Sequence, residues 1–311
     1  MNSLTFEGKV LELFKIRFIK FITSLFTLGL LYPWGKIKEL KYLYNETTFE
    51  GTSFSFNGNL REYYKGFIKV WISLVILMVL CTGGAFLTVY LIKSLFAGII
   101  YSLTILICTF LAFYVQGLAI NGTMKYRFNN TSWGTINLSY TGKPKEFGPI
   151  FLGNIILSYI TLGLYYPWFF VKAIKYILQN LKFGNLTFDY TGDSGKLFSI
   201  YIKGYIFSLL TLGIYSIWLT KNIFEYIINN ITVKKGGQQM NLVSEVNTLQ
   251  VFELIVGNVL IIVFTLGIGY SWAKVRMLNF VTQHCIIPEG LYPEKTETDL
   301  ENQTSFLDLI V

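Results

Sequence analysis

Four apolar runs in this chain end in nearly the same eight residues: TLGLLYPW at 27–34, TLGLYYPW at 161–168, TLGIYSIW at 211–218 and TLGIGYSW at 265–272. A phrase written four times imposes one local geometry four times, so it constrains the fold more than any bulk property. Glycine ends or bends a helix because it readily takes left-handed backbone angles. Proline fits the first turn of a new helix. The phrase therefore reads helix, break, helix. The breaks fall at Gly29, Gly163, Gly213 and Gly267, and the restarts at Pro33-Trp34, Pro167-Trp168, Trp218 and Trp272. Tyr and Trp rings favour the headgroup boundary of a bilayer, so these four tryptophans are expected to be anchors.

The phrase belongs to a longer unit. A short alternating stretch ending in glycine precedes it: LTFEG (4–8), FSFNG (54–58), LSYTG (138–142) and FDYTG (188–192). Gly8 to Thr27, Gly142 to Thr161 and Gly192 to Thr211 are each 19 residues, and Gly8 to Gly58 and Gly142 to Gly192 are each 50. An aromatic follows each Trp by eight: Tyr42, Tyr176, Tyr226 and Phe280. One unit is stretched. Gly58 to Gly142 is 84 residues; it lacks the phrase but keeps the close, KYRFNN at 125–130 against KYILQN at 175–180. Regular spacing of this kind marks a repeat array. About five units are expected, at 1–58, 59–142, 143–192, 193–246 and 247–287, the fourth lengthened by KKGGQQ at 234–239. They form a single membrane domain. An acidic tail, 288–311, with six acids and one base, is expected to be disordered.

Only 14% of the residues are charged, against about 25% in a soluble domain. Two runs reach the roughly 20 apolar residues needed to cross a bilayer. Phe67–Ile92 has no charge after Lys69, and Leu95–Gly117 has none at all. Lys15, Arg17 and Lys20 interrupt the first apolar run, which is not the pattern of a cleaved signal. Cys81, Cys108 and Cys285 are widely spaced and suggest neither disulfides nor a metal site. The net charge is +8; the tail carries −5, which leaves +13 on the rest. Those bases flank apolar runs, a placement that fits anionic headgroups and the positive-inside rule, not nucleic acid.

The linkers 47–58, 131–142 and 182–192 alternate apolar and polar residues and read as short strands pairing into a small sheet. If each unit crossed the membrane once, neighbouring basic ends would lie on opposite sides. If each unit is a hairpin, all basic ends and strands share one side, and the hairpin is favoured. The first arms, about 15 residues and about 22 Å long at ~1.5 Å per residue, fall short of a ~30 Å hydrocarbon core. The short units are therefore expected to be re-entrant or to thin the bilayer.

Catalytic groups are scarce. The single histidine, His284, stands beside Cys285 and reads as an ordinary pair. No phosphate loop or metal-spaced cluster appears. Asn154 and Asn258 occupy one unit position, shared with Lys20 and Gly204 in other units. They read first as hydrogen bonds between helices, and otherwise as the lining of a solute path. Lys38, Lys172 and Arg276 each follow a Trp by four and are the candidate contacts to lipid headgroups.

An apolar run closing in TLGxYxPW, then a base, a Tyr and a turn to a short β stretch, resembles the YjgN-like family of bacterial inner-membrane proteins. The resemblance spans nearly the whole chain. Copies four and five depart from it, with Ser216-Ile217 and Tyr270-Ser271 where the others read Tyr-Pro. It implies a polytopic inner-membrane protein and supplies no activity. The expected fold is an all-α polytopic membrane protein with short β segments, built of tandem helix–turn–helix repeats, with two long transmembrane helices in the second repeat. The expected role is a non-enzymatic scaffold or lipid-interacting protein, resting on headgroup-level Trp and Lys and on a lack of buried charge pairs. A small-solute transporter or channel is the alternative. No cofactor, metal or nucleic acid is expected; the partners are membrane lipids, anionic ones included, and a homo-oligomer stays open. The basic flanks, strands and tail are expected on the cytoplasmic side.

Overall fold

The computed structural model describes residues 4–87 and 95–295. Among these residues ten helices and nine strands alternate in a regular order. Strand β1 (Leu4–Phe6) leads into helices α1 (Val10–Phe26) and α2 (Tyr32–Asn45). Strands β2 (Thr47–Phe49) and β3 (Thr52–Phe56) lead into α3 (Leu60–Phe86) and α4 (Leu95–Asn129). Strands β4 (Thr131–Trp133) and β5 (Ile136–Tyr140) precede α5 (Pro144–Ile160) and α6 (Tyr166–Gln179). Strands β6 (Leu181–Phe183) and β7 (Leu186–Tyr190) precede α7 (Ser194–Leu210) and α8 (Ser216–Asn229). Strands β8 (Ile231–Lys235) and β9 (Gln238–Asn241) precede α9 (Thr248–Phe264) and α10 (Tyr270–His284). The stretch that joins the two long apolar helices, 88–94, lies outside the described residues.

Each pair of helices is an antiparallel hairpin that leaves the sheet and returns to it. Neighbouring hairpins pack side by side, and α10 packs on α1, so the array closes on itself. The chain is mostly helical, but its strands do more than expected. They form one continuous nine-stranded antiparallel sheet in chain order, β1 to β9. Each linker contributes a two-stranded ribbon, and the last strand of one ribbon pairs with the first of the next, as in Ser55 with Ser132 and Ser139 with Lys182. The chain is thus mostly helical with short antiparallel strands, as expected, and the finding is that the strands join in one sheet. Alternating side chains explain it: single ribbons are marginal alone, but side by side they bury a common face.

That face explains the repeated glycine. The aromatic two residues before it, Phe6, Phe56, Tyr140 or Tyr190, is buried and folds back over the glycine. A methyl group on Gly8, Gly58, Gly142 or Gly192 would meet that ring at 2.3–2.5 Å. The same aromatics nucleate the cores beneath the helices. Phe6 packs with Leu13 and Val275, Phe56 with Ile37 and Leu40, and Tyr190 with Val171 and Leu197. The tyrosine eight after Trp34, Trp168 and Trp218 ties the second arm to the start of its own first arm. Tyr42 Oη donates to the Lys9 carbonyl, Tyr176 Oη accepts from the Lys143 amide, and Tyr226 Oη accepts from the Asp193 amide. In the stretched unit, Tyr126 Oη reaches the Asn59 carbonyl in the same way.

Leu291 and Glu294 pack against β7, β8 and the turn before β7. Leu291 is 2% exposed and packs on Leu186 and Val233. Asn185 and Glu294 exchange hydrogen bonds, and Lys235 pairs with Glu294. Disorder is therefore not found over 288–295, because an apolar side chain and two polar clamps hold that stretch; residues 296–311 lie outside the described residues.

Replacing Gly142 by Ala should force the Tyr140 ring from its seat and cost about 1–3 kcal/mol. Gly122→Ala, at a helix position with open space around it, should be neutral or favourable by up to about 1 kcal/mol. Thermal unfolding of the two variants in detergent checks the contrast.

Candidate functional site

The four hairpin tips share one hydrogen-bond scheme. Each first arm is 17 residues, about 25 Å at ~1.5 Å per residue. Its Thr closes the last turn, and the next two residues, Leu and Gly, both take left-handed angles. The φ values are 50° and 85° at Leu28-Gly29, 50° and 88° at Leu162-Gly163, 51° and 93° at Leu212-Gly213, and 51° and 88° at Leu266-Gly267. The Gly amide donates five residues back, to Ser24, Ser158, Ser208 or Ile262, at 2.7–2.8 Å. The Thr hydroxyl then accepts the amide at the start of the second arm, from Leu31, Tyr165, Tyr215 or Gly269. The turn thus satisfies within itself groups that a helix end normally leaves to water. Pro33 and Pro167 sit in the first turn of the second arm.

Sequence reasoning gives the left-handed position to the glycine; the structure gives it first to the leucine. An L residue there costs roughly 1–2 kcal/mol. These leucines are nevertheless 84%, 95%, 96% and 93% exposed at Leu28, Leu162, Leu212 and Leu266. Each tip is a strained loop that presents a large apolar side chain outward.

The sequence-predicted residues do not converge on one site. Trp34 carries Lys38 Nζ 3.8 Å above its ring. Trp168 stacks on Tyr165 and meets Phe198, Trp218 stacks on Tyr215, and Trp272 meets Phe14. Lys172 donates to Asn154 Oδ1 and Tyr165 Oη inside its own hairpin. Arg276 lies against Gly257 and donates to the Glu253 carbonyl. The matched position is a contact between the two arms: Lys20 against Gly35, Gly204 against Leu219, and Asn258 with the Ala273 carbonyl. Asn154 and Asn258 are each engaged within separate hairpins. His284 bonds the Phe280 carbonyl and Gln250, and burial pushes the Cys285 thiol up to about 11.

What the sequence did not reveal is a buried ionic cluster, and it corrects the expectation that buried charge pairs are lacking. Glu39, on the second arm of the first hairpin, is 1% exposed. Arg17 Nε and Nη2 both donate to its Oε1, at 2.8 and 2.6 Å. Lys20 and Lys36 reach Oε2. The approach of α1 to α2 at this level needs Gly35, where a methyl would meet the Lys20 stem at 2.4 Å. Burial alone would raise the Glu39 carboxyl, but the Lys20 hydrogen bond and the charges of Lys36 and Arg17 outweigh it and hold it at about 2. Lys274 of α10 lies within electrostatic reach of Glu39, and Arg127 of α4 within reach of Lys36 and Lys274. Burial pushes Lys36 and Lys274 down; the Arg17 charge adds to the effect on Lys274. Arg17 lies 4.9 Å over Tyr270, and Arg127 lies 5.9 Å over Tyr44. One signal was present in the sequence: Arg17 and Lys20, three apart within an apolar arm, share a helix face.

Glu39→Gln would leave three cations without their carboxylate, and should cost about 3–5 kcal/mol in thermal unfolding. The acid dependence follows. A carboxyl at about 2 when folded, against an ordinary 4.5, stabilises fully above 4.5 and loses that contribution as pH falls toward 2. The wild type should show this loss, and Glu39→Gln should not.

Two helices, α3 and the Gly98–Asn129 part of α4, are long and apolar enough to cross a membrane, and their apolar windows are 0% and 6% buried. No curated protein and no solved structure matches the chain. A family model described as a bacterial protein of unknown function (DUF898) matches residues 1–195 and 220–290. The chain belongs to this bacterial family of unknown function, the YjgN family that its repeated phrase resembles.

Proposed function

We propose that the chain is a non-enzymatic, lipid-interacting integral protein of the bacterial inner membrane. In this reading α3 and α4 cross the bilayer. The four short hairpins enter from the cytoplasmic side and stop within it, and the sheet with its basic flanks stays in the cytoplasm. The observation that carries the proposal is the set of four exposed leucines at strained tips. In water each would combine backbone strain with an uncovered side chain. Moving a Leu side chain from water to an apolar medium returns about 1.5–3 kcal/mol, enough to offset the strain. Tips that close their own hydrogen bonds meet the requirement for backbone in lipid.

Further support comes from an apolar cavity of about 400 Å³ between α6, α7 and α8, lined by Tyr166, Phe170, Leu197, Tyr201, Phe224 and Ile227 among others. Its lining suits an acyl chain. The transporter reading draws less support, since Asn154 and Asn258 lie in separate hairpins and Asn154 is engaged by Lys172 and the Ile150 carbonyl.

Single cysteines at Leu28, Leu162, Leu212 and Leu266, in a background lacking the native thiols, test the proposal. Each should resist a membrane-impermeant maleimide from both sides of sealed vesicles and be quenched, once fluorescently labelled, by lipid-borne quenchers. Ready labelling by the aqueous reagent would overturn it.

A further inference from the structure

We propose that the cationic cluster around Glu39 is a binding site for a phosphate group. Five cations from four helices gather around it: Arg17 and Lys20 of α1 and Lys36 of α2 bond Glu39, Arg127 of α4 bonds Tyr44 of α2, and Lys274 of α10 lies within electrostatic reach of Arg17, Glu39 and Arg127. The cluster holds a single carboxylate, Glu39. Its two oxygens already accept four hydrogen bonds, which exhausts its capacity. Among the described residues Lys274 has no ion pair, and the one hydrogen bond of the Arg127 guanidinium goes to Tyr44 Oη at 3.3 Å.

Two donors show what is missing. Arg17 Nη1 and Arg127 Nε are buried and have no hydrogen-bond partner. A buried guanidinium N–H without an acceptor is costly, and a surplus of half-buried cations adds to that cost. A second anion between α1, α4 and α10 would answer both. Two guanidinium groups and a lysine suit a group with several oxygens and more than one negative charge, since the guanidinium fork matches phosphate oxygens in pairs. A carboxylate offers only two oxygens. The surrounding Tyr32, Tyr44 and Tyr270 rings shield the site and hold the cations in place. The phosphate belongs either to a free anion or to a phospholipid headgroup. The site itself does not depend on the membrane reading; only the second source does.

The test uses the full chain, wild type and Lys274→Gln, a substitution that breaks no hydrogen bond or ion pair seen in the fold. The first arm measures inorganic phosphate binding in neutral detergent by equilibrium dialysis, with chloride at matched ionic strength. The second measures retention of phosphatidic acid against phosphatidylcholine after delipidation from mixed vesicles. Saturable binding in either arm, weakened roughly tenfold or more by Lys274→Gln and unchanged by Lys182→Gln at an exposed position of the sheet, supports the proposal and names the source. Binding in neither arm, or binding that Lys274→Gln leaves intact, overturns it. Thermal unfolding of Lys274→Gln without phosphate guards against misfolding; if that variant unfolds early, Arg127→Lys, which keeps the charge but removes the fork, replaces it under the same criteria. If phosphate binds in detergent while the hairpin tips label from water, the site stands and the membrane reading fails.

Discussion

The closed hydrogen bonding of the Thr-Leu-Gly turn is the constraint on which the rest depends. A helix end leaves amides and carbonyls without partners, and a loop that needed water to satisfy them would have to stay at the surface. Here the threonine hydroxyl bridges the end of one arm and the start of the next, and the glycine amide reaches back to the last turn. Two helices can therefore meet at an apolar tip. Everything else follows the same route back: the second arm returns, a tyrosine clasps its own first arm, an aromatic closes over a glycine, and a ribbon joins the sheet.

Much of this was legible in the sequence because repetition sets spacing. The 19 residues from Gly142 to Thr161 hold one first arm, and the alternation of LSYTG gives a strand whose tyrosine and glycine must meet. The break at TLG and the restart at Pro167 follow from backbone preference alone. Continuity of the sheet was not legible. Whether neighbouring ribbons pair depends on how far apart the hairpins splay, which no single unit records. The order over 288–295 was hidden for the same reason, because Leu291 finds its partners, Leu186 and Val233, more than fifty residues away.

The candidate site was the least legible part. Position relative to Trp suggested that Lys38, Lys172 and Arg276 act alike, yet they meet a ring, an amide side chain and a backbone carbonyl in separate hairpins. Their likeness reflects the repeat, not a shared ligand. The cluster around Glu39 breaks the repeat instead: Lys20 stands where other units have Asn or Gly, and Arg127 comes from the stretched unit. Charges at non-repeating positions inside a repetitive scaffold are where this chain departs from mere packing, which is why they bear on ligand chemistry.

In the proposed membrane arrangement every hairpin folds back, so that the whole sheet lies in one compartment. Sided labelling of single cysteines at Ser53, Ser139 and Gln239, on three different ribbons, tests it most directly, in inverted and right-side-out vesicles from a strain producing a variant without native thiols. All three should react only from the cytoplasmic face. Reaction of any one of them from the opposite face would mean that a unit crosses the membrane once, and the account would be wrong.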